Sequence, residues 1–254
     1  LPIIPENGAV IIGEVCLYLL AALTPLFFLP LTIAPVEINK QVFAGVLVIC
    51  GFICYLLYSL QERKIVYPKS LISLAVLILA AVWGLSAFFS TVKIVSFWGN
   101  FVQPDSLANF LIYGMAFFLT AVFLSKKNVR YFGVAFLIGL ALTTITGLAG
   151  ILLPRLLGAG FNTIGDLFNF AVFEAFGLVM VIVILLPPSS PEFIYGTSLP
   201  GAMPGSPGLK TKILLSFLGL LIAFQLILLN YSFIWLILIA AVLILAAYEF
   251  INVN

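Results

Sequence analysis

The stretch Pro154–Glu174 concentrates polar side chains between two long apolar runs. Its charged and amide side chains are those of Arg155, Asn162, Asp166, Asn169 and Glu174. In a chain this apolar, so much hydrogen-bonding capacity in one place requires water, a lipid head group or a substrate. The stretch therefore predicts the outward-facing site of a membrane protein.

These residues also have structural explanations. Glu174 lies about one to two turns inside an apolar run, where an ionisable residue is a functional candidate; the alternative is a carboxyl group hydrogen-bonded to another helix. Asp166 precedes an apolar run, so its alternative role is a helix N-cap. Arg155 could instead extend from a helix end to the membrane interface. Asn169 and Glu174 are expected to flank one broad helical face without stacking.

The composition defines the class of protein. Hydrophobic residues make up 64% of the 254 residues and charged residues 8%, whereas a soluble domain has about 45–50% apolar and about 25% charged residues. The apolar runs are continuous over ~18–20 residues, which excludes the alternating strands of a membrane barrel. Helices remain as the way to satisfy backbone polar groups in lipid. The net charge of +2 indicates no nucleic-acid partner.

The apolar runs predict an all-α fold, a polytopic transmembrane helical bundle of about eight spans. The spans cover about residues 9–29, 41–60, 71–90, 107–124, 131–153, 168–186, 212–229 and 232–248. Residues 1–186 form a six-span bundle with an outward polar loop at 154–168. Residues 187–211 are a proline- and glycine-rich cytoplasmic connector, and residues 212–254 form a two-span hairpin.

Basic residues predict the orientation. The loops after the second, fourth and sixth spans contain Arg63, Lys64, Lys69, Lys126, Lys127, Arg130, Lys210 and Lys212, and the other loops contain Lys40, Lys93 and Arg155. Cytoplasmic loops are enriched in lysine and arginine. Both termini are therefore predicted to be cytoplasmic, and the polar stretch is predicted to face outward.

Cysteine and histidine usage predicts no metal site and no cofactor. Cys16, Cys50 and Cys54 all lie within apolar runs, and the chain contains no histidine. Cysteines in such positions are interpreted as small apolar side chains and not as a disulfide or a metal pair.

Four segments resemble the amino-terminal two-thirds of the O-antigen ligase and polymerase superfamily. They are TPLFFLPLTIAPVEINKQ, SAFFSTVKIVSFWGNFVQPDS, FNTIGDLFNFAVF and LLNYSFIWLILIAAVLIL. The resemblance implies a multi-pass protein of the cytoplasmic (inner) membrane, in contact with the lipid bilayer, that acts at the outer face. It implies transfer or polymerisation of a glycan from an undecaprenyl-pyrophosphate carrier, so the partners are a lipid-linked oligosaccharide and a glycan or lipid acceptor.

The resemblance also suggests roles for individual residues. Cations must stabilise the pyrophosphate leaving group, and Arg155, with its bidentate guanidinium, is the leading candidate, with Lys93 second. Trp98 would be a platform for sugar or carrier lipid, or else part of an aromatic belt at the interface. Asp166 and Glu174 are the candidate catalytic acids. The amides of Asn162 and Asn169 would orient the substrate.

The sequence departs from the family in lacking the histidine that its ligases use in an outward carboxy-terminal loop. The sequence therefore predicts either a chain truncated before that loop, inactive alone, or a divergent member. Two other classes compete with the transferase: a transporter or flippase-like protein, and a membrane scaffold without chemistry.

Overall fold

The computed structural model describes residues 8–27, 36–68, 70–99, 106–124, 126–157, 161–185 and 209–253. Its helices are α1 (Gly8–Leu23), α2 (Val36–Glu62), α3 (Leu71–Phe89), α4 (Lys93–Trp98), α5 (Leu107–Phe123), α6 (Lys126–Leu152), α7 (Pro154–Leu157), α8 (Leu167–Leu185), α9 (Leu209–Leu229) and α10 (Ser232–Val253). No strand occurs within the described ranges. The predicted all-α class is confirmed for this part of the chain.

Within the described ranges, five helices are long and apolar enough to cross a membrane. They comprise Ile38–Glu62, Leu71–Phe89, Asn128–Leu152, Leu167–Leu185 and Leu209–Leu229. Three shorter apolar helical segments are Gly8–Leu23, Leu107–Phe123 and Ser232–Leu243. These lengths and compositions suggest a membrane protein. Eight spans and two cytoplasmic termini stay predictions.

Several helix boundaries follow from local chemistry. Ser70 caps α3 because its Oγ accepts a hydrogen bond from the Ser73 backbone N at 3.1 Å, and Ser106 caps α5 in the same way through the Asn109 N at 3.3 Å. Between α9 and α10, Asn230 adopts a left-handed φ of 48°, a conformation that asparagine tolerates better than most residues. A very short turn can therefore join these two helices.

Two short helices occupy segments that were predicted to be loops. α4 forms because residues 93–98 contain no proline or glycine, and it ends at Gly99, whose φ is 80°. α7 begins with Pro154, a residue whose fixed φ suits the first helical position. Helices α2 and α9 also begin a few residues earlier than predicted. Of the predicted connector at 187–211, only residues 209–211 are described, and these are helical.

The chain divides into an amino-terminal unit, Leu1–Gly139, and a carboxy-terminal unit, Leu140–Asn254. In the amino-terminal unit α1 packs on α2 and α5, and α3 and α4 also pack on α5. Its core contains Val10, Leu17, Val48, Cys54, Tyr55, Tyr58, Leu119, Val122, Phe123 and Leu124. Gly13 lets α1 approach the Phe123 ring, since a Cβ there would lie 2.6 Å from a ring carbon.

Within the same unit, the first part of α6 runs alongside α1. The Asn128 Nδ2 donates a hydrogen bond to the Glu14 carboxylate. About three turns further along α6 and about two turns further along α1, a Cβ at Gly139 would lie 2.6 Å from the Ala22 carbonyl oxygen. Because the residue numbers rise on both helices from the first contact to the second, α1 and this part of α6 are parallel.

In the carboxy-terminal unit, α8 packs against α9 and α10. The helix α8 buries one face, which carries Phe170, Ala171, Glu174, Ala175, Gly177 and Val181. All but one of these residues are apolar or small. Glu174 is therefore the exceptional member of this buried face.

Candidate functional site

Glu174 is completely buried, with no solvent-exposed fraction, and its carboxyl group meets Thr144 of α6. The Thr144 Oγ1 lies 3.2 Å from Oε1 and 3.0 Å from Oε2 of Glu174. It also lies 2.9 Å from the Leu140 carbonyl oxygen, one turn earlier on its own helix. Thr144 is the hydrogen-bond partner that the described part of the chain provides for this carboxyl group.

Small residues allow α6 and α8 to approach closely on both sides of this pair. A Cβ at Gly147 would overlap the Phe170 ring, and a Cβ at Gly177 would overlap the Leu140 side chain. Glycines at such positions permit close packing of membrane helices. Because Leu140 lies opposite Gly177 and Gly147 lies opposite Phe170, the two helices are antiparallel here.

Gln225 of α9 adds a buried amide to the same unit. It has no exposed fraction, and among the described residues neither its Nε2 nor its Oε1 has a hydrogen-bond partner. The Nε2 reaches α6, since it lies 2.6 Å from the position of a Cβ at Gly147. A buried amide without partners is costly, at about 1–3 kcal/mol for each unsatisfied group.

The loop before α8 is held by its own polar side chains. The Gly165 N donates to the Asn162 Oδ1 at 2.8 Å, and the Asn162 Nδ2 donates to the Gly165 carbonyl at 3.3 Å. Asp166 Oδ2 accepts from the backbone N of Phe168 at 3.2 Å and of Asn169 at 3.3 Å. The N-cap role predicted as the alternative for Asp166 is confirmed, and Asn162 shapes the turn before it.

Asn169 and Glu174 of α8, which were expected to flank one broad face without stacking, differ in their exposure. Asn169 is exposed whereas Glu174 is fully buried. Five residues correspond to a rotation of about 140° around a helix. Arg155, in α7 of the same unit, is also exposed.

The remaining predicted site residues, Lys93 and Trp98, belong to α4 of the amino-terminal unit. Lys93 is exposed, and its Nζ lies 5.3 Å from the centroid of the Phe88 ring, within the range of a cation–π contact. Trp98 has 77% of its surface exposed. This exposure is compatible with both roles predicted for Trp98.

The amino-terminal unit also contains an apolar groove of about 300 Å³. Its lining includes Val76 and Leu77 of α3 and Phe110, Phe117 and Phe118 of α5. Because its lining is apolar, the groove suits the binding of an aliphatic chain.

Sequence reasoning identified Glu174 but missed Thr144 and Gln225. A glutamine within the apolar segment LLIAFQLILL was a detectable signal, because an amide inside a span must find a partner. The pair Thr143–Thr144 gave a weaker signal, since a threonine hydroxyl can bond its own helix. No family model matches the chain, and no curated protein or solved structure matches it.

Proposed function

We propose that the protein is a membrane component of surface-glycan assembly. It transfers or polymerises a glycan from an undecaprenyl-pyrophosphate carrier at the outer face of the cytoplasmic membrane. The four segments that resemble ligases and polymerases motivate this proposal, and the observation that carries it is the exposed side chain of Arg155. The guanidinium is accessible and offers paired donors to a pyrophosphate as the glycosidic bond breaks.

Two further observations support the assignment. The apolar groove between α3 and α5 suits a segment of a polyprenyl chain. In the carboxy-terminal unit, Asn162 and Asp166 shape a turn that begins α8 and leaves Asn169 exposed. An exposed amide next to a helix start is available for sugar hydroxyls.

The proposed reaction places α7 and α4 on the outer side of the membrane. The parallel run of α1 and α6 supports the predicted alternation, in which the first and fifth apolar helices cross in the same direction. We expect an external thiol reagent to label Trp98→Cys and Arg155→Cys in intact cells, because both positions are exposed. The same reagent should not label Arg130→Cys until the cells are permeabilised.

The labelling experiment requires a background without Cys16, Cys50 and Cys54. The native residues can be replaced by alanine, and labelling of each single cysteine compared before and after permeabilisation. Labelling of Arg130→Cys in intact cells, with no labelling of Arg155→Cys, would reverse the orientation and refute an outward-facing site.

If the Arg155 guanidinium binds the pyrophosphate, lysine and alanine at position 155 should have different effects. Arg155→Lys retains a cation but loses the planar guanidinium, and with it one of the two paired hydrogen bonds to phosphate. Each charge-assisted hydrogen bond contributes about 1.5–3 kcal/mol. We expect the rate of glycan transfer to fall ~10- to 100-fold, with a larger fall for Arg155→Ala. The assay measures transfer from a lipid-linked donor at matched protein level, with the protein as it occurs in its host membrane.

Arg130 provides the matched control, because it is another exposed arginine in a described helix. Arg130→Lys and Arg130→Ala should transfer glycan at the normal rate, since their positions are predicted to be cytoplasmic. Normal transfer by both Arg155 variants would exclude this residue from the reaction.

A transporter or flippase is the second candidate function. The specific observation in its favour is the buried polar group of Glu174, Thr144 and Gln225 within apolar helices. Ionisable residues inside membrane helices commonly belong to ion or substrate pathways. Movement of a lipid-linked glycan across the bilayer of vesicles that contain the protein, without transfer to an acceptor, would favour this candidate.

A further inference from the structure

Three helices of the carboxy-terminal unit bury polar side chains at about the same depth, and α6 buries Thr143 beside Thr144. Thr144 of α6, Glu174 of α8 and Gln225 of α9 all have no exposed fraction. Thr144 contacts Glu174 directly. The Gln225 amide reaches Gly147, which lies one turn along α6 from Thr144.

The packing of α8 on α9 supports this placement independently. A Cβ at Gly219 would lie 3.3 Å from Val181, and the buried face of α9 includes Leu218, Ile222 and Gln225. Gly147 of α6 lies next to both Phe170 of α8 and Gln225 of α9. Gly219 is therefore near Val181, whereas the later residue Gln225 is near the start of α8, so α8 and α9 are antiparallel. Gln225 therefore lies within about one turn of Glu174 along α8.

The hydrogen bonds available do not satisfy these groups. Thr144 has one hydroxyl hydrogen, yet three acceptors surround it: the Leu140 carbonyl and both carboxyl oxygens of Glu174. The Gln225 Oε1 and Nε2 have no hydrogen-bond partner in the part of the chain that the structure describes. A buried polar cluster left in this state is strongly unfavourable, so it calls for a ligand that meets several oxygens at once.

We propose that Thr144, Glu174 and Gln225 bind one monovalent alkali-metal ion inside the membrane. The available ligands are the two Glu174 oxygens, the Thr144 Oγ1 and the Gln225 Oε1, and hard cations prefer oxygen ligands of these types. A single positive charge neutralises the single carboxylate, for which the described residues provide no basic partner. A divalent ion would leave an excess charge in a region of low dielectric constant.

The depth of the site agrees with this ligand class. Glu174 lies seven residues from the start of α8 at Leu167, which is about 11 Å along the helix axis. Coupling ions in membrane proteins are commonly held near the middle of the bilayer. The ion would connect α6, α8 and α9, so its binding should stabilise the fold.

Thermal unfolding of the purified protein in detergent tests the site. Chloride salts of sodium, potassium and choline are compared at equal ionic strength and fixed pH. We expect a saturable rise in Tm with sodium or potassium and none with choline. Thr144→Val and Gln225→Leu, which each remove one ligand, should shift the half-saturating salt concentration upward at least ~10-fold.

Glu174→Gln should abolish the response, because it removes the charge that holds the ion. Thr146→Val is the matched control: it lies on the same helix, and its hydroxyl donates to the Thr143 carbonyl at 3.0 Å. This variant should respond to salt as the unmodified protein does. If Glu174→Gln does not fold, binding of radioactive sodium by Thr144→Val and Gln225→Leu decides the question.

Equal stability in the three salts would overturn the proposal. A metal-ion response that survives in Glu174→Gln would overturn it as well, and so would an unchanged half-saturating salt concentration in both single-ligand variants. Stability that depends on pH but not on sodium or potassium would assign the site to a proton, which also refutes a metal ion. Because Tm and sodium binding are independent of glycan transfer, failure here is distinguishable from failure of the proposed function.

Discussion

Gly150→Ala should destabilise the carboxy-terminal unit by about 3 kcal/mol, at the upper end of the usual cost of overpacking. A Cβ at position 150 would overlap the backbone carbonyl of Phe161, and backbone atoms cannot rotate away as a side chain can. This contact holds the chain next to Asn162, so the substitution should also disturb the turn before α8. Reversible unfolding in mixed micelles measures the change in free energy of unfolding.

Gly133→Ala is the control for this substitution, because it lies on the same helix and a Cβ there would meet nothing within 4 Å. Alanine is favoured over glycine inside a helix by about 0.8–1.0 kcal/mol, so the control variant should be as stable as the unmodified protein or slightly more stable. Equal stability of the two variants would show that α6 and the Phe161 segment are not in close contact.

Leu119→Ala should reduce the free energy of unfolding by about 2–3 kcal/mol through the cavity that it leaves. Leu119 has no exposed fraction, and it packs against Gly51 of α2, where a Cβ would lie 3.0 Å from its Cδ1. The expected loss is at the low end for a buried leucine. Lipid is as apolar as the protein interior, so removal of the side chain loses packing contacts but little transfer free energy.

Leu111→Ala makes the same chemical change on the same helix α5, where the side chain is 46% exposed. We expect this variant to lose less than about 0.5 kcal/mol, as surface substitutions usually do. Unfolding in mixed micelles at several detergent ratios measures both variants. A comparable loss for the two leucines would contradict the packing of α1, α2 and α5 around Leu119.

The apolar runs of the sequence were sufficient to predict the long helices. Each predicted span overlaps a helix in the described residues, although α1 ends at Leu23, before the predicted end of the first span. A run of ~20 apolar residues in lipid has few ways other than a helix to satisfy its backbone. Asp166 was predicted as a possible N-cap for an equally local reason. The short helices α4 and α7 were missed because they lie in segments with mixed polarity.

The candidate site could be predicted only in part from the sequence. Glu174 was found because a carboxyl group within an apolar run is exceptional. Its predicted alternative role was a hydrogen bond to another helix, and Thr144 of α6 forms that hydrogen bond. The sequence did not predict that Asn169 is exposed whereas Glu174 is buried. The sequence spacing of five residues was known, but the face that α8 buries depends on its neighbours.

The sequence by itself determined the all-α class, the long apolar helices and the capping of α8 by Asp166, because each of these depends on residues close together in the chain. Only the tertiary structure decided that Thr144, Glu174 and Gln225 lie in one buried region. These residues are up to 81 positions apart, since 225 − 144 = 81. They come together because Gly147 and Gly177 let α6 and α8 approach closely, and contacts between distant segments leave no periodic signal in a single sequence.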